Sequence, residues 1–319
     1  MNTRLNYFGR TKTPCLFVID FDLQHFYIAP LSQLDSDIFF DFKGFNNILP
    51  LTLNKSIYLK KKPVPFSLYQ QAFQKIQAEM YAGNTYLLNL TFPTKISLNL
   101  SLLDTFLNSQ AKFKLYFKDK FITFSPERFI KIENNHIFTY PMKGTIDAKL
   151  PHAQTIILND IKEKAEHTMV VDLLRNDLSI VAKKVAVNRF RYLEKIVTND
   201  KTLFQVSSEI SGQLPMHWQH HLGDILFALL PAGSVTGAPK KKTVDIIKTV
   251  ETYQRGFFTG IFGYFDGQKL DSAVMIRFIE KQEKQLVYKS GGGITINSQA
   301  EKEYQEMLDK IYVPVGFIN

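Results

Sequence analysis

Apolar positions along the chain recur with two periods, and the switches between them divide it into elements. Residues 13–60 hold short apolar runs broken by polar and turn-forming residues, the pattern of short strands and turns. In the stretch KKPVP at 61–65, Pro63 and Pro65 interrupt regular structure. That predicts a shortened N-terminal segment over 1–65, packing on the same domain as a main unit over 66–319. Leu68, Ala72, Ile76 and Met80 then follow at helical spacing, and Gly83 is placed to end that helix. From about 86 to 140 the runs LLNLTF, FKLYF and FITF predict strands, and RFIKIE and HIFTYP flank Asn134–Asn135 as a hairpin. A long helix is expected over about 158–175, with Ile161, Ala165, Thr168, Met169 and Asp172 near one face, and another after Pro239. FTGIFGYF, AVMIRFIE and QLVYKS read as consecutive antiparallel strands, with a turn at Asp266–Gly267. A last helix runs from about Ala300 to Tyr312. Strand runs followed by helices, rather than strict alternation, predict an α+β fold of the multilayer α/β sandwich kind.

Composition narrows the function classes. Of 319 residues, 45% are apolar and 22% charged, which suits a packed core rather than disorder. The one cysteine, Cys15, excludes an internal disulfide and a cysteine-rich metal site. The N-terminus lacks the apolar stretch of a signal peptide, and the longest apolar runs, such as ILFALL, are too short to cross a bilayer. A cytoplasmic protein without a membrane partner is expected. The net charge of +9 comes from lysines spread along the chain, in clusters no longer than Lys60–Lys62 or Lys240–Lys242. No nucleic-acid module accompanies them, so the charge reads as a solvated basic surface suited to a small dianionic substrate, not as a nucleic-acid site.

Candidate chemistry lies in three kinds of segment. Glu163 and Glu166 in KEKAEH, and Glu303 and Glu306 in EKEYQEMLDK, are pairs three residues apart on expected helices, so each pair shares a face. Two such faces brought together make a hard oxygen site of the type that suits Mg2+, although either pair alone is also what a solvated helix presents. Lys143, in PMKGT, is a nucleophile if desolvated and an ordinary turn lysine if exposed. Glu127, in SPERF at the start of a strand, is a candidate general acid. PAGSVTGAPK at 231–240 and SGGGI at 290–294 place small residues where backbone can approach an anionic ligand, and neither is a Walker loop. Arg277, expected at the end of a strand, suits a carboxylate clamp or a surface ion pair.

Together and in this order, SPERF, PMKGT, AEHTMVVDLLRNDL, PAGSVTGAPK, GIFGYFDG with MIRF, and SGGGITINSQAEKEYQEMLDK resemble the chorismate-utilizing enzymes over about residues 66–313. The resemblance implies an α/β sandwich that binds Mg2+ and chorismate. By matching position, it implies Glu166 and Glu306 as direct metal ligands, with Glu163 and Glu303 acting through water. It implies Ser234, Thr236, Arg277, Lys310 and the backbone of Gly291, Gly292 and Gly293 as substrate-binding groups, and Glu127 as the acid. Lys143, where anthranilate synthases usually carry alanine, is similar to the aminodeoxychorismate synthase component I branch, in which the lysine is a covalent nucleophile. Chorismate and ammonia are then the substrates. No G-x-C-x-G segment is present, so a separate glutamine amidotransferase subunit is the implied ammonia source. Two departures from the branch are Gln205, where a histidine is common, and Phe258, where a tyrosine is expected. The rival readings are anthranilate synthase component I, which would release pyruvate, and a non-catalytic basic binding protein of the same fold.

Overall fold

A computed structural model describes residues 1–48, 55–197, 202–283 and 285–314. Two antiparallel sheets face each other, and helices cover both outer surfaces. In chain order the helices among the described residues are α1 (Asn2–Arg10), α2 (Phe66–Tyr81), α3 (Leu102–Leu107), α4 (Ala153–Asn159), α5 (Ile161–Val181), α6 (Leu222–Leu229), α7 (Lys240–Val250) and α8 (Ala300–Asp309). The first sheet runs Met142–Asp147, Thr202–Gln213, His136–Thr139, Arg128–Glu133, Leu270–Val274, Ile261–Phe265, Cys15–Ile19, Phe26–Pro30, with Lys183–Val197 also paired to Thr202–Gln213. The second runs Gly237–Ala238, Leu87–Leu98, Gln285–Ile294, Phe278–Gln282, Phe121–Ser125, Phe113–Phe117, Ile38–Phe42, Phe45–Asn46, with Leu59–Lys62 also on Leu87–Leu98.

The period of two explains the layering. Cys15, Phe17 and Ile19 face α1, α5 and α6, whereas Leu16 and Val18 point into the space between the sheets. There they meet Phe40, Phe42, Phe113, Phe117, Phe121, Phe262 and Phe278, an aromatic interlayer that accounts for much of the phenylalanine content. On the far side of the second sheet, α2, α7 and α8 pack over Leu88, Leu90, Phe92 and Ile294, and α3 over Tyr116, Ile122 and Phe124. This is the expected α+β multilayer sandwich. Strands from the first 65 residues enter both sheets.

Several expectations meet the structure closely. Asn134 and Asn135 take φ of 51° and 56° between the paired Glu133 and His136, the geometry of a two-residue hairpin turn. Other expectations are corrected. Leu68 is half exposed, and α2 instead buries Tyr69, Ala72, Phe73, Ile76 and Met80. Ile161 is 84% exposed, and the buried face of α5 is Glu166, His167, Val171, Leu174, Asp177 and Leu178. That face carries charge because two carboxylates meet lysines from other elements, so hydrophobic periodicity misplaced it. AVMIRFIE is not one strand. It leaves the first sheet at Val274 and enters the second at Phe278. The N-terminal residues form α1, whose packing on α6 no apolar period announced. Among the described residues no helix is long and apolar enough to cross a membrane.

Candidate active site

Lys143 lies in Met142–Asp147, at the end of the first sheet, where pairing with Thr202–Gln213 shifts register between Met142 and Thr145. The irregularity includes Gly144 at φ +81°. A bulge turns a side chain off the regular alternation, and Lys143 Nζ meets α5, 2.7 Å from Glu166 Oε2. A Cβ at residue 144 would stand 2.8 Å from the movable Glu163 Oε2, so it is the left-handed backbone that calls for glycine there.

The two acidic pairs lie on helices joined through a shared lysine. Lys162 Nζ lies 3.7 Å from Glu166 Oε1 on α5 and 4.0 Å from Glu303 Oε1 on α8, linking the helices. Gly292 sits opposite α8, and a Cβ there would stand 3.6 Å from Glu306 Oε1, 3.6 Å from Lys310 Nζ and 3.8 Å from Glu303 Oε2. Burial alone would push the Lys143 amine down. The carboxylates of Glu166, Glu306 and Glu163 more than reverse this, holding it above the ordinary lysine value. Burial pushes Glu163 and Glu303 up, with like charge from Glu166 on the first and from Glu306 on both. Glu306 ends below its ordinary value, because Lys310, Lys143 and Lys162 outweigh burial.

These donors fit Mg2+. All are hard oxygens, Glu163 Oε2 is buried without a hydrogen-bond partner, and the glycine at 292 leaves space in front of α8. Among the described residues no three acid, histidine or cysteine side chains form a ready-made ligand cluster. A cation here would therefore use one or two carboxylates directly, with water and substrate oxygens completing the shell.

A second group stands on the other side of Lys310. Glu127 precedes the strand Arg128–Glu133, half-buried and lining a small cavity. Burial pushes its carboxyl above the ordinary range, while the Ser234 hydroxyl and the charges of Lys310 and Arg277 pull the other way. Arg277 lies at the crossover between the sheets at φ +53°, with its guanidinium 5.0 Å from the centre of the Tyr312 ring and its buried Nε unpartnered. It makes no ion pair among the described residues, so it is free to meet an anion. Lys310 Nζ donates to Gly291 O at 3.0 Å and pairs with Glu306 at 2.7 Å. Burial pushes Lys310 down, as do the charges of Arg277 and Lys143, against the pull of Glu306. Lys143 and Glu127 are thus related electrostatically through Lys310, without touching.

Strand Gln285–Ile294 carries Gly291, Gly292 and Gly293 in register with Thr91, Leu90 and Asn89. Thr236, expected to bind substrate, is instead fully buried, and its hydroxyl donates to Ala232 O and Gly233 O. Phe258 sits in the aromatic interlayer against Phe278, and Gln205 lies opposite Thr145 with its buried Oε1 unpartnered. Sequence reasoning missed Lys162, His167, Asp177 and Lys240. His167 Nε2 is 2.7 Å from Ser208 Oγ, and Asp177 pairs with Lys240 at 2.8 Å. The charged letters of RNDL and GAPK carried the signal, but nothing in one dimension joined them.

Known proteins share the fold and sequence features of this chain. The profile of the chorismate binding enzymes matches residues 45–316. An uncharacterized PabA-like protein of Pasteurella multocida is 51% identical over 98% of this chain and 97% of its own length. Aminodeoxychorismate synthase component 1 of Salmonella typhimurium is 35% identical over 76% of this chain, a match that spans 56% of that relative. In fold, a crystal structure of a putative 2,3-dihydroxybenzoate-specific isochorismate synthase from Bacillus anthracis superimposes with a TM-score of 0.72 at 19% identity, covering 97% of this chain and 85% of that one.

Proposed function

Because the chain belongs to the chorismate binding enzymes, we propose that it aminates chorismate at C4, making 4-amino-4-deoxychorismate through a covalent intermediate on Lys143. The observation that carries this reading is the lysine itself. It sits at a break in strand register, partly buried and 2.7 Å from Glu166, and is not an exposed turn residue.

The residues divide the work. Arg277, Lys310 and the backbone of Gly291–Gly293 bind the substrate carboxylates. Glu166 and Glu306 would hold Mg2+, with Glu163 and Glu303 through water; when bound, the ion would neutralise this acidic cluster and orient the ring carboxylate. With those charges neutralised, burial alone acts on Lys143 and favours its neutral, nucleophilic amine. Lys143 Nζ bonds to ring carbon C2, the two conjugated ring double bonds shift toward C4, and the C4 hydroxyl leaves as water with the proton of Glu127, which leaves Lys143 as a secondary ammonium on C2. Ammonia then bonds to C4, the double bonds shift back, Lys143 departs from C2 as the free amine, and the proton that the bound ammonia loses returns to Glu127. Two displacements replace one difficult substitution. A glutamine amidotransferase subunit is the natural ammonia source, and free ammonium replaces it in its absence.

Incubating the purified chain with chorismate, Mg2+ and ammonium, beside Lys143→Ala, tests the proposal. Aminodeoxychorismate without pyruvate from the wild type, and little from the variant, is the expected result. Anthranilate with pyruvate, or undiminished turnover by Lys143→Ala, would overturn it.

A further inference from the structure

The segment 231–239 leaves the end of α6, returns at the start of α7, and carries Ser234 in its middle. Lys240, the first residue of α7, reaches back across it. Its Nζ donates to the carbonyl of Leu229, the last residue of α6, at 3.0 Å, and pairs with Asp177 Oδ1 on α5 at 2.8 Å. One ammonium thereby ties both ends of the segment to each other and to α5. The other carboxylate oxygen of Asp177 lies against Gly233, where a Cβ would stand 2.6 Å from Oδ2 and 3.2 Å from Leu173 Cγ. The residue next to Ser234 therefore leans on this carboxylate. The later half of the segment is held separately, by Arg255 Nη1 donating to Val235 O at 2.9 Å and Asn89 N donating to Thr236 O at 2.9 Å. A single cavity of about 20 Å³, room for one water, is lined by Glu127, Ser234 and Asp177 together.

Burial pushes the Asp177 carboxyl up even with Lys240 beside it. We propose that Asp177 and Lys240 are positioning residues that pin segment 231–239 onto α5 and so hold the Ser234 hydroxyl against Glu127. This rests on Glu127 being the proton donor of the proposed reaction. Without the pin, Gly233 and Ser234 drift from α5, and Glu127 loses the hydroxyl that aligns it.

The experiment compares Asp177→Asn, Ser234→Ala and the double variant, in ammonium-dependent turnover of chorismate and in hydrogen exchange. Asp177→Asn should lower kcat by roughly ten- to a hundredfold, the scale of a small misplacement, while KM for chorismate stays within about threefold. The limb of the pH profile governed by Glu127 should move to higher pH, and should move the same way in Ser234→Ala. In the Ser234→Ala background, Asp177→Asn should cost nothing more. Amides of 231–236 should exchange faster in Asp177→Asn, with those of α5 unchanged. If Asp177→Asn does not fold, Lys240→Gln makes the same comparison from the other side of the pair. Multiplying losses in the double variant, or unaltered exchange over 231–236, would overturn the pin. A folded wild type that does not consume chorismate would overturn the proposed reaction instead, and the exchange result then decides the pin by itself.

Discussion

Gly292→Ala separates the fold from the site more sharply than any other single change. An added Cβ at this position would lie 3.6 Å from Glu306 Oε1 and Lys310 Nζ and 3.8 Å from Glu303 Oε2, all ordinary contact distances. Its φ lies outside the left-handed range. The folded state therefore accepts the methyl, and reduced chain entropy in the unfolded state adds about 0.4–1 kcal/mol of stability. The same methyl occupies the space facing α8, where substrate and metal oxygens would sit. Crowding of that order costs about 1–3 kcal/mol in a packed environment, or roughly a 5- to 150-fold loss in kcat/KM at 1.36 kcal/mol per decade. Gly291→Ala, one residue earlier, is the control. Its Cβ would stand 2.2 Å from the backbone oxygen of Leu90, a clash that the paired strands cannot relieve. Thermal melts and chorismate turnover on both variants give the answer. Gly292→Ala should melt at or slightly above the wild-type temperature with its activity largely lost, while Gly291→Ala should lose stability first. A Gly292→Ala enzyme of full activity would refute the placement of the substrate between Gly292 and α8.

Chelation of divalent cations should abolish turnover, and activity in chelator should recover partly as pH rises, because unneutralised Glu166, Glu306 and Glu163 keep Lys143 protonated; equal activity with and without chelator at neutral pH would oppose this. Glu127→Gln should lower kcat about 10²- to 10⁴-fold and remove one limb of the pH profile, measured by steady-state rates. Burial lowers the pKa of His167 from 6.5 to about 4. The unfolded chain thus binds the proton that the folded one refuses, and stability present above pH 6.5 falls progressively toward pH 4, by up to about 3 kcal/mol. Denaturant unfolding without divalent cations should show this loss reduced in His167→Gln. Arg255→Met strands the carboxylate of Glu251, which is buried at 2.7 Å from Arg255, and should destabilise the fold by about 3–5 kcal/mol in the same assay.

Elements with a local cause were legible along the chain. The helical spacing after Pro65 predicted α2, the paired asparagines a hairpin, and Pro239 the start of α7, because each reflects conformational preferences that act within a few residues. The acidic pairs of α5 and α8 were legible for the same reason, since a separation of three fixes a shared helix face. The ordered segments, by resemblance, also pointed to the family. What required the tertiary structure was every relation between distant residues. The bulge aims Lys143 at Glu166. The switch of sheets at Met275–Arg277 puts Arg277 beside Glu127, and Lys240 reaches Asp177 and Leu229 at once. The misread face of α5 shows why. Hydrophobic periodicity assumes that what is buried is apolar, whereas Glu166 and Asp177 are buried because lysines from other elements meet them. Pairing across the fold, unlike propensity, leaves no period along the chain.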